Sequence, residues 1–68
     1  MRPKELRLEE LRIAKGLTQR EVADAIYCTP SAYARYERED REPKIDALKR
    51  LSKFYGVSVD YIICNDKF

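Results

Sequence analysis

Residues 17–37 read LTQREVADAIYCTPSAYARYE, and the two helix starts inside this stretch decide the fold. Thr18-Gln19-Arg20-Glu21 has the form of a capping box. The Thr hydroxyl can accept from the Glu21 backbone N–H, and the Glu21 carboxylate can reach back to the Thr18 N–H. Leu17 before the cap and Val22 four positions into the helix add a hydrophobic staple. Val22, Ala23 and Ile26 then form one apolar face, which predicts a helix over 18–27. Thr29 is a second N-cap, and Pro30 suits the first helical turn, where a missing N–H costs nothing. Tyr33 and Tyr36 are spaced to face inward, which predicts a helix over 29–37. So short a connection makes the two helices cross steeply, as in a helix-turn-helix.

Outward from this pair, the same signals recur. Upstream, Leu8 and Leu11 share a face that Ala14 and Lys15 continue, and Gly16 stands where a left-handed residue closes a helix. The expected helix spans 4–15. Downstream, Pro43 marks the entry to a helix over 44–55. Its stripe is Ile45, Leu48, Leu51 and Tyr55, with Ala47 and Phe54 alongside, and Gly56 at its end. Ser58 caps a short last helix over 58–64, with Val57 and Ile62 as a second staple. No stretch alternates with period two, so no strand is expected. The expected architecture is all-α, a compact bundle of five short helices in a single domain over 1–68.

The composition narrows the function. The chain has 68 residues, 44% apolar and 38% charged, with a net charge of +2. That apolar share fits a folded chain rather than a disordered one. A core this small leaves no room for a deep substrate cleft. There is no His, hence no common general base and no common metal ligand. Cys28 and Cys64 stand alone, without the paired spacing of a zinc site. One disulfide is possible on paper. No secretory apolar segment follows Met1-Arg2-Pro3-Lys4, so free thiols in the cytoplasm are expected. The longest apolar run, Tyr61 to Cys64, is far below a membrane span. No nucleophile–base pair is evident. The reading is not an enzyme, with no cofactor, no metal, no membrane and no small-molecule ligand.

Several spaced residues together resemble one family. They are Leu11-Arg12, Gly16-Leu17-Thr18-Gln19, Glu21-Val22-Ala23, Ser31, Tyr33, Arg35, Tyr36-Glu37, Arg41 and Pro43. Leu48, Leu51 and Gly56-Val57-Ser58-Val59-Asp60-Tyr61-Ile62 continue the set. The chain resembles the Cro/cI-type, or xenobiotic-response-element-like, helix-turn-helix family, which includes the phage lambda repressor. The resemblance covers about residues 5–63. It implies a lambda-repressor-like bundle whose third helix enters the major groove of double-stranded DNA. It also implies a homodimer on a pseudo-palindromic operator.

Site residues follow from the resemblance. Gln19 would clamp a phosphate and brace the reading helix, with Arg20 adding a contact. Thr29, Pro30, Ser31, Ala32 and Arg35 take the positions that face DNA. Ala32 and Pro30 suit a thymine methyl, Ser31 can donate or accept, and Arg35 can grip guanine O6 and N7. Arg38 and Arg41 would meet the backbone, although Glu39, Asp40 and Glu42 oppose them. Arg12 and Glu37 match a largely buried salt bridge of the family. Tyr33 and Tyr36 read as core rings whose hydroxyls reach the surface. Tyr61, Ile63 and Phe68 are candidates for a dimer seam, and the Arg2-Pro3-Lys4 arm for a further contact.

This chain departs from the family in five places, the first being that the usual Asn-Gly-Lys of the loop after the reading helix is missing. A Gln-Gln start of the reading helix is absent. Glu39 and Cys64 stand where glycines are usual, and Lys44 where a Ser-type cap is usual. The function expected is a small DNA-binding transcriptional regulator, a repressor of bacterial or phage origin. The alternative is an antitoxin or antirepressor-type interaction module on the same fold.

Overall fold

The computed structural model describes residues 6–64. They form α1 (Leu8–Ala14), α2 (Gln19–Ala25), α3 (Pro30–Arg38), α4 (Ile45–Tyr55) and α5 (Val59–Ile62). No strand occurs among the described residues. No helix among them is long and apolar enough to cross a membrane.

The helix starts are those that the side chains specify. Thr18 Oγ1 accepts from the Glu21 N–H at 3.1 Å, and Glu21 Oε1 accepts from the Thr18 N–H at 2.8 Å. Thr29 Oγ1 accepts from Ala32 N–H and Ser58 Oγ from Tyr61 N–H, each at 3.0 Å. Each bond satisfies a donor that the helix leaves open. Lys44 offers no such bond to α4.

Three helix ends share one closure. In each, a left-handed residue donates to the carbonyl three back, and the next residue to the carbonyl five back from itself. After α1, Gly16 (φ +68°) and Leu17 bond Ile13 and Arg12. After α2, Tyr27 (φ +62°) and Cys28 bond Asp24 and Ala23. After α3, Glu39 (φ +63°) and Asp40 bond Tyr36 and Arg35. Glu39 therefore makes the turn that a glycine would make more cheaply.

The core is Leu8, Val22, Ala23, Ile26, Tyr33, Tyr36, Leu51, Tyr55 and Ile62. It draws on all five helices and holds α3 from behind. Leu11, Leu17, Cys28, Ala47, Leu48, Phe54 and Val57 pack around it.

Several boundaries and faces differ from the sequence reading. The first helix begins at Leu8 rather than residue 4; residues 4 and 5 lie outside the described ones. Ahead of α1, the Arg7 N–H donates to Ile62 O at 2.9 Å, and its guanidinium donates to Tyr61 O at 2.9 Å. This segment is tied to α5 and does not continue the helix. The apolar face of α1 stops at Leu11, and Ala14 and Lys15 are exposed. The second helix ends at Ala25 because Tyr27 turns left-handed. The third runs to Arg38. The last ends at Ile62, with Cys64 left-handed beyond it (φ +58°). Ile45 is 70% exposed, so the α4 stripe begins at Leu48. The Tyr33 and Tyr55 hydroxyls meet inside the core at 2.8 Å, so the Tyr33 hydroxyl does not reach the surface. Burial and this pairing push the Tyr33 hydroxyl far above its ordinary value.

Candidate nucleic-acid interface

The turn between α2 and α3 leaves one face of α3 uncovered. Tyr33, Tyr36 and Glu37 are buried on its inner side. Pro30, Ser31, Arg35 and Arg38 are exposed on the outer side, and Ala32 is half-buried. The Thr29 hydroxyl oxygen is occupied as the cap of this helix. Ser31 and Arg35 are thus the exposed hydrogen-bonding side chains of its first two turns. Arg35 is the one with the forked geometry for a guanine edge.

Behind this face, Arg12 and Glu37 meet. Arg12 Nε donates to Glu37 Oε2 at 2.7 Å, and Nη2 donates to Oε1 at 3.3 Å. Arg12 Nη1 donates to Leu17 O at 2.9 Å, just ahead of α2. Gln19 Nε2 donates to Glu37 Oε1 at 3.0 Å. Burial alone would push the Glu37 carboxyl up. Hydrogen bonds from Arg12, Gln19 and Tyr33 outweigh it and hold the carboxyl below the usual range. The hydrogen bond to Glu37 raises the Arg12 guanidinium further. The cluster therefore carries one fixed anion and one fixed cation, and it joins α1, the start of α2 and the end of α3.

The other cations read as backbone contacts are at the surface. Arg20 and Arg41 are exposed. Arg38 Nε pairs with Asp40 Oδ2 at 3.0 Å. A phosphate reaching Arg38 must compete with that carboxylate. Arg41 lines a shallow groove with Leu6, Glu42, Pro43, Leu48 and Ile63.

Of the residues read as a seam, Ile63 is exposed beside this groove. Tyr61 is half-buried, with the Arg7 guanidinium 4.1 Å above its ring, so its own chain already covers one face. Phe68 and the Arg2-Pro3-Lys4 arm lie outside the described residues. The sequence reading missed two features. It did not foresee the Gln19–Glu37 bond, whose partners lie on different helices. It also missed the Arg38–Asp40 pair, for which opposite charges two residues apart were the available signal.

A helix pair joined by a short left-handed turn, with one buttressed and one open face, defines a helix-turn-helix unit. The sequence profile of the helix-turn-helix family matches residues 8–62, and the chain belongs to that family. It is similar to the uncharacterised HTH-type transcriptional regulator YobD of Bacillus subtilis. The two are 44% identical over 57 residues, covering 84% of this chain and 51% of that one. It is 39% identical over 61 residues to the HTH-type transcriptional regulator ImmR of the same organism, covering 90% and 48%. It is 31% identical over 61 residues to the cryptic phage CTXphi transcriptional repressor RstR of Vibrio cholerae, covering 90% and 55%. The chain thus spans about half the length of these curated relatives. No solved structure matches it.

Proposed function

We propose that this chain regulates transcription, as a repressor, by binding double-stranded DNA with α3 in the major groove. The observation that carries this reading is the asymmetry of α3. Its inner side is locked by Tyr33, Tyr36 and Glu37, and its outer side presents Ser31 and Arg35. Membership of the helix-turn-helix family and likeness to named regulators support it. Thr29, Pro30 and Ala32 flank the reading residues, and Gln19, Arg20, Arg38 and Arg41 supply backbone contacts around them. A homodimer would set two half-sites about 34–36 Å apart on a pseudo-palindromic operator. Ile45 and Ile63 are two of the exposed apolar residues available for its seam, beside Ile13 and Tyr27. The activity is binding, not catalysis, and the setting is the cytoplasm.

The test is selection of duplexes from a random pool, followed by titration of the best site. Arg35→Ala should weaken that site about 5- to 150-fold and relax preference at one base pair per half-site. Gln19→Ala should weaken all sites alike and hardly change the salt dependence. A uniform loss on Arg35→Ala with a flatter salt slope would make Arg35 a phosphate contact instead. No selected duplex at all would favour the antitoxin or antirepressor reading.

A further inference from the structure

We propose that Glu37 is a positioning residue for DNA binding: it takes one N–H of the Gln19 amide and so turns the other toward a phosphate. The inference rests on the reading of Gln19 as a phosphate contact and adds what orients it.

A glutamine amide is two-faced. Its nitrogen carries two N–H donors, and its oxygen only accepts. A phosphate oxygen is also only an acceptor. An unrestrained amide would therefore present the repelling oxygen in many of its orientations. Glu37 removes that freedom. Its side chain is 3% exposed, and Arg12 fixes it through Nε at 2.7 Å and Nη2 at 3.3 Å. An ionised carboxylate so held can accept from Gln19 but cannot donate to it. The amide nitrogen therefore faces Glu37, as the 3.0 Å bond to Oε1 has it. One N–H is consumed. The other, fixed in the amide plane, is left as the donor for an anion.

The location suits the task. Gln19 is the first residue of α2, and its side chain crosses to the end of α3 to reach Glu37. Arg12 also donates to Leu17 O at 2.9 Å, which steadies the segment leading to Gln19. Glu37 itself lies two residues beyond Arg35 on α3. One buried carboxylate thus links the helix that reads bases to the side chain that holds the backbone. Displacing α3 would mis-aim the phosphate contact as well.

A double-mutant cycle on the selected operator duplex tests this. Wild type, Gln19→Ala, Glu37→Gln and the double variant are titrated at a temperature where circular dichroism shows each fully folded. Gln19→Ala is expected to weaken binding about tenfold, the scale of one lost hydrogen bond to a charged group. Glu37→Gln should weaken it about fivefold, because a neutral partner no longer dictates the amide's orientation. In the Gln19→Ala background, the Glu37→Gln loss should shrink to less than about twofold. An undiminished loss there would overturn the proposal, since Glu37 would then act only by placing α3. Wild-type affinity in Gln19→Ala would sink the phosphate reading itself, and the proposal with it.

If Glu37→Gln does not fold, the wild-type protein still decides. In its NMR spectrum, one Gln19 side-chain amide proton should be shifted as a hydrogen-bonded donor in the free protein. The second should shift on adding the operator duplex. Two equivalent, solvent-like amide protons in the free protein, or an unmoved second proton in the complex, would overturn it.

Discussion

Two arginine–carboxylate pairs flank the C-terminal end of α3, and they differ in nearly everything but length. Arg12 and Glu37 approach to 2.7 Å with side chains 17% and 3% exposed. Arg38 and Asp40 approach to 3.0 Å with both side chains about 60% exposed. The first carboxylate has lost its water and depends on its partners. The second is solvated whether or not the arginine is there. Distance alone therefore says little about what an ion pair holds together. Burial decides it.

The sharpest way to break the contrast is Arg12→Ala. It strands a buried carboxylate and should cost about 3–5 kcal/mol, a large share of the stability of so small a domain. Urea or thermal unfolding followed by circular dichroism measures it. A loss under about 1 kcal/mol would mean that Glu37 behaves like Asp40.

The same pair predicts an acid limb. The folded-state value of Glu37 lies below its unfolded value of about 4.3. Its contribution is therefore complete above that unfolded value and drains away as pH falls toward and through the lower, folded one. Melting temperature should drop below about pH 4, and the drop should be smaller in Glu37→Gln. An identical acid limb in that variant would assign the effect elsewhere.

Thr18→Ala falls between the two pairs. Thr18 is exposed, like the Arg38 pair, yet its partner is a backbone donor with no other intrahelical acceptor. The expected loss is about 1 kcal/mol by thermal melting. An unchanged melt would place the capping box with the solvated pair.

The smallest effects belong to the outer pair. Arg38→Ala and Asp40→Asn should each leave stability within about 0.5 kcal/mol. They should act on DNA in opposite directions. If Arg38 meets a phosphate as proposed, Arg38→Ala should flatten the salt dependence by about one unit for each bound chain, and Asp40→Asn should tighten binding modestly by freeing the guanidinium. If Asp40→Asn loosens binding, the carboxylate is orienting Arg38 rather than competing for it.

What could be read in the sequence is mostly local. Thr18, Thr29 and Ser58 announce three helix starts, because a cap is a bond between residues three apart. The core positions of α2, α3 and α4 follow from spacing, except Ile45, whose place at the first turn of α4 leaves it uncovered. The start of α1 was misread because the tie from Arg7 to Tyr61 and Ile62 spans more than fifty residues. The Tyr33–Tyr55 hydroxyl pair and the Gln19–Glu37 bond are of the same kind, since neither partner signals the other along the chain. Arg12 and Glu37 were matched only through family resemblance.

The left-handed closures at Tyr27 and Glu39 have a consequence for how much of this protein a cell would hold. Each places a side chain where glycine rests more easily, at roughly 1 kcal/mol apiece. Tyr27 is 82% exposed, so its ring returns little in packing beyond a loose approach by Arg50. In a domain with little stability to spare, a kilocalorie changes the open fraction about fivefold, and the open chain is what proteases cut. Steady-state abundance is therefore adjustable at a residue outside the exposed face of α3. A lineage needing a scarcer or more plentiful protein could change its dose by altering Tyr27, and leave the outer side of α3 as it is.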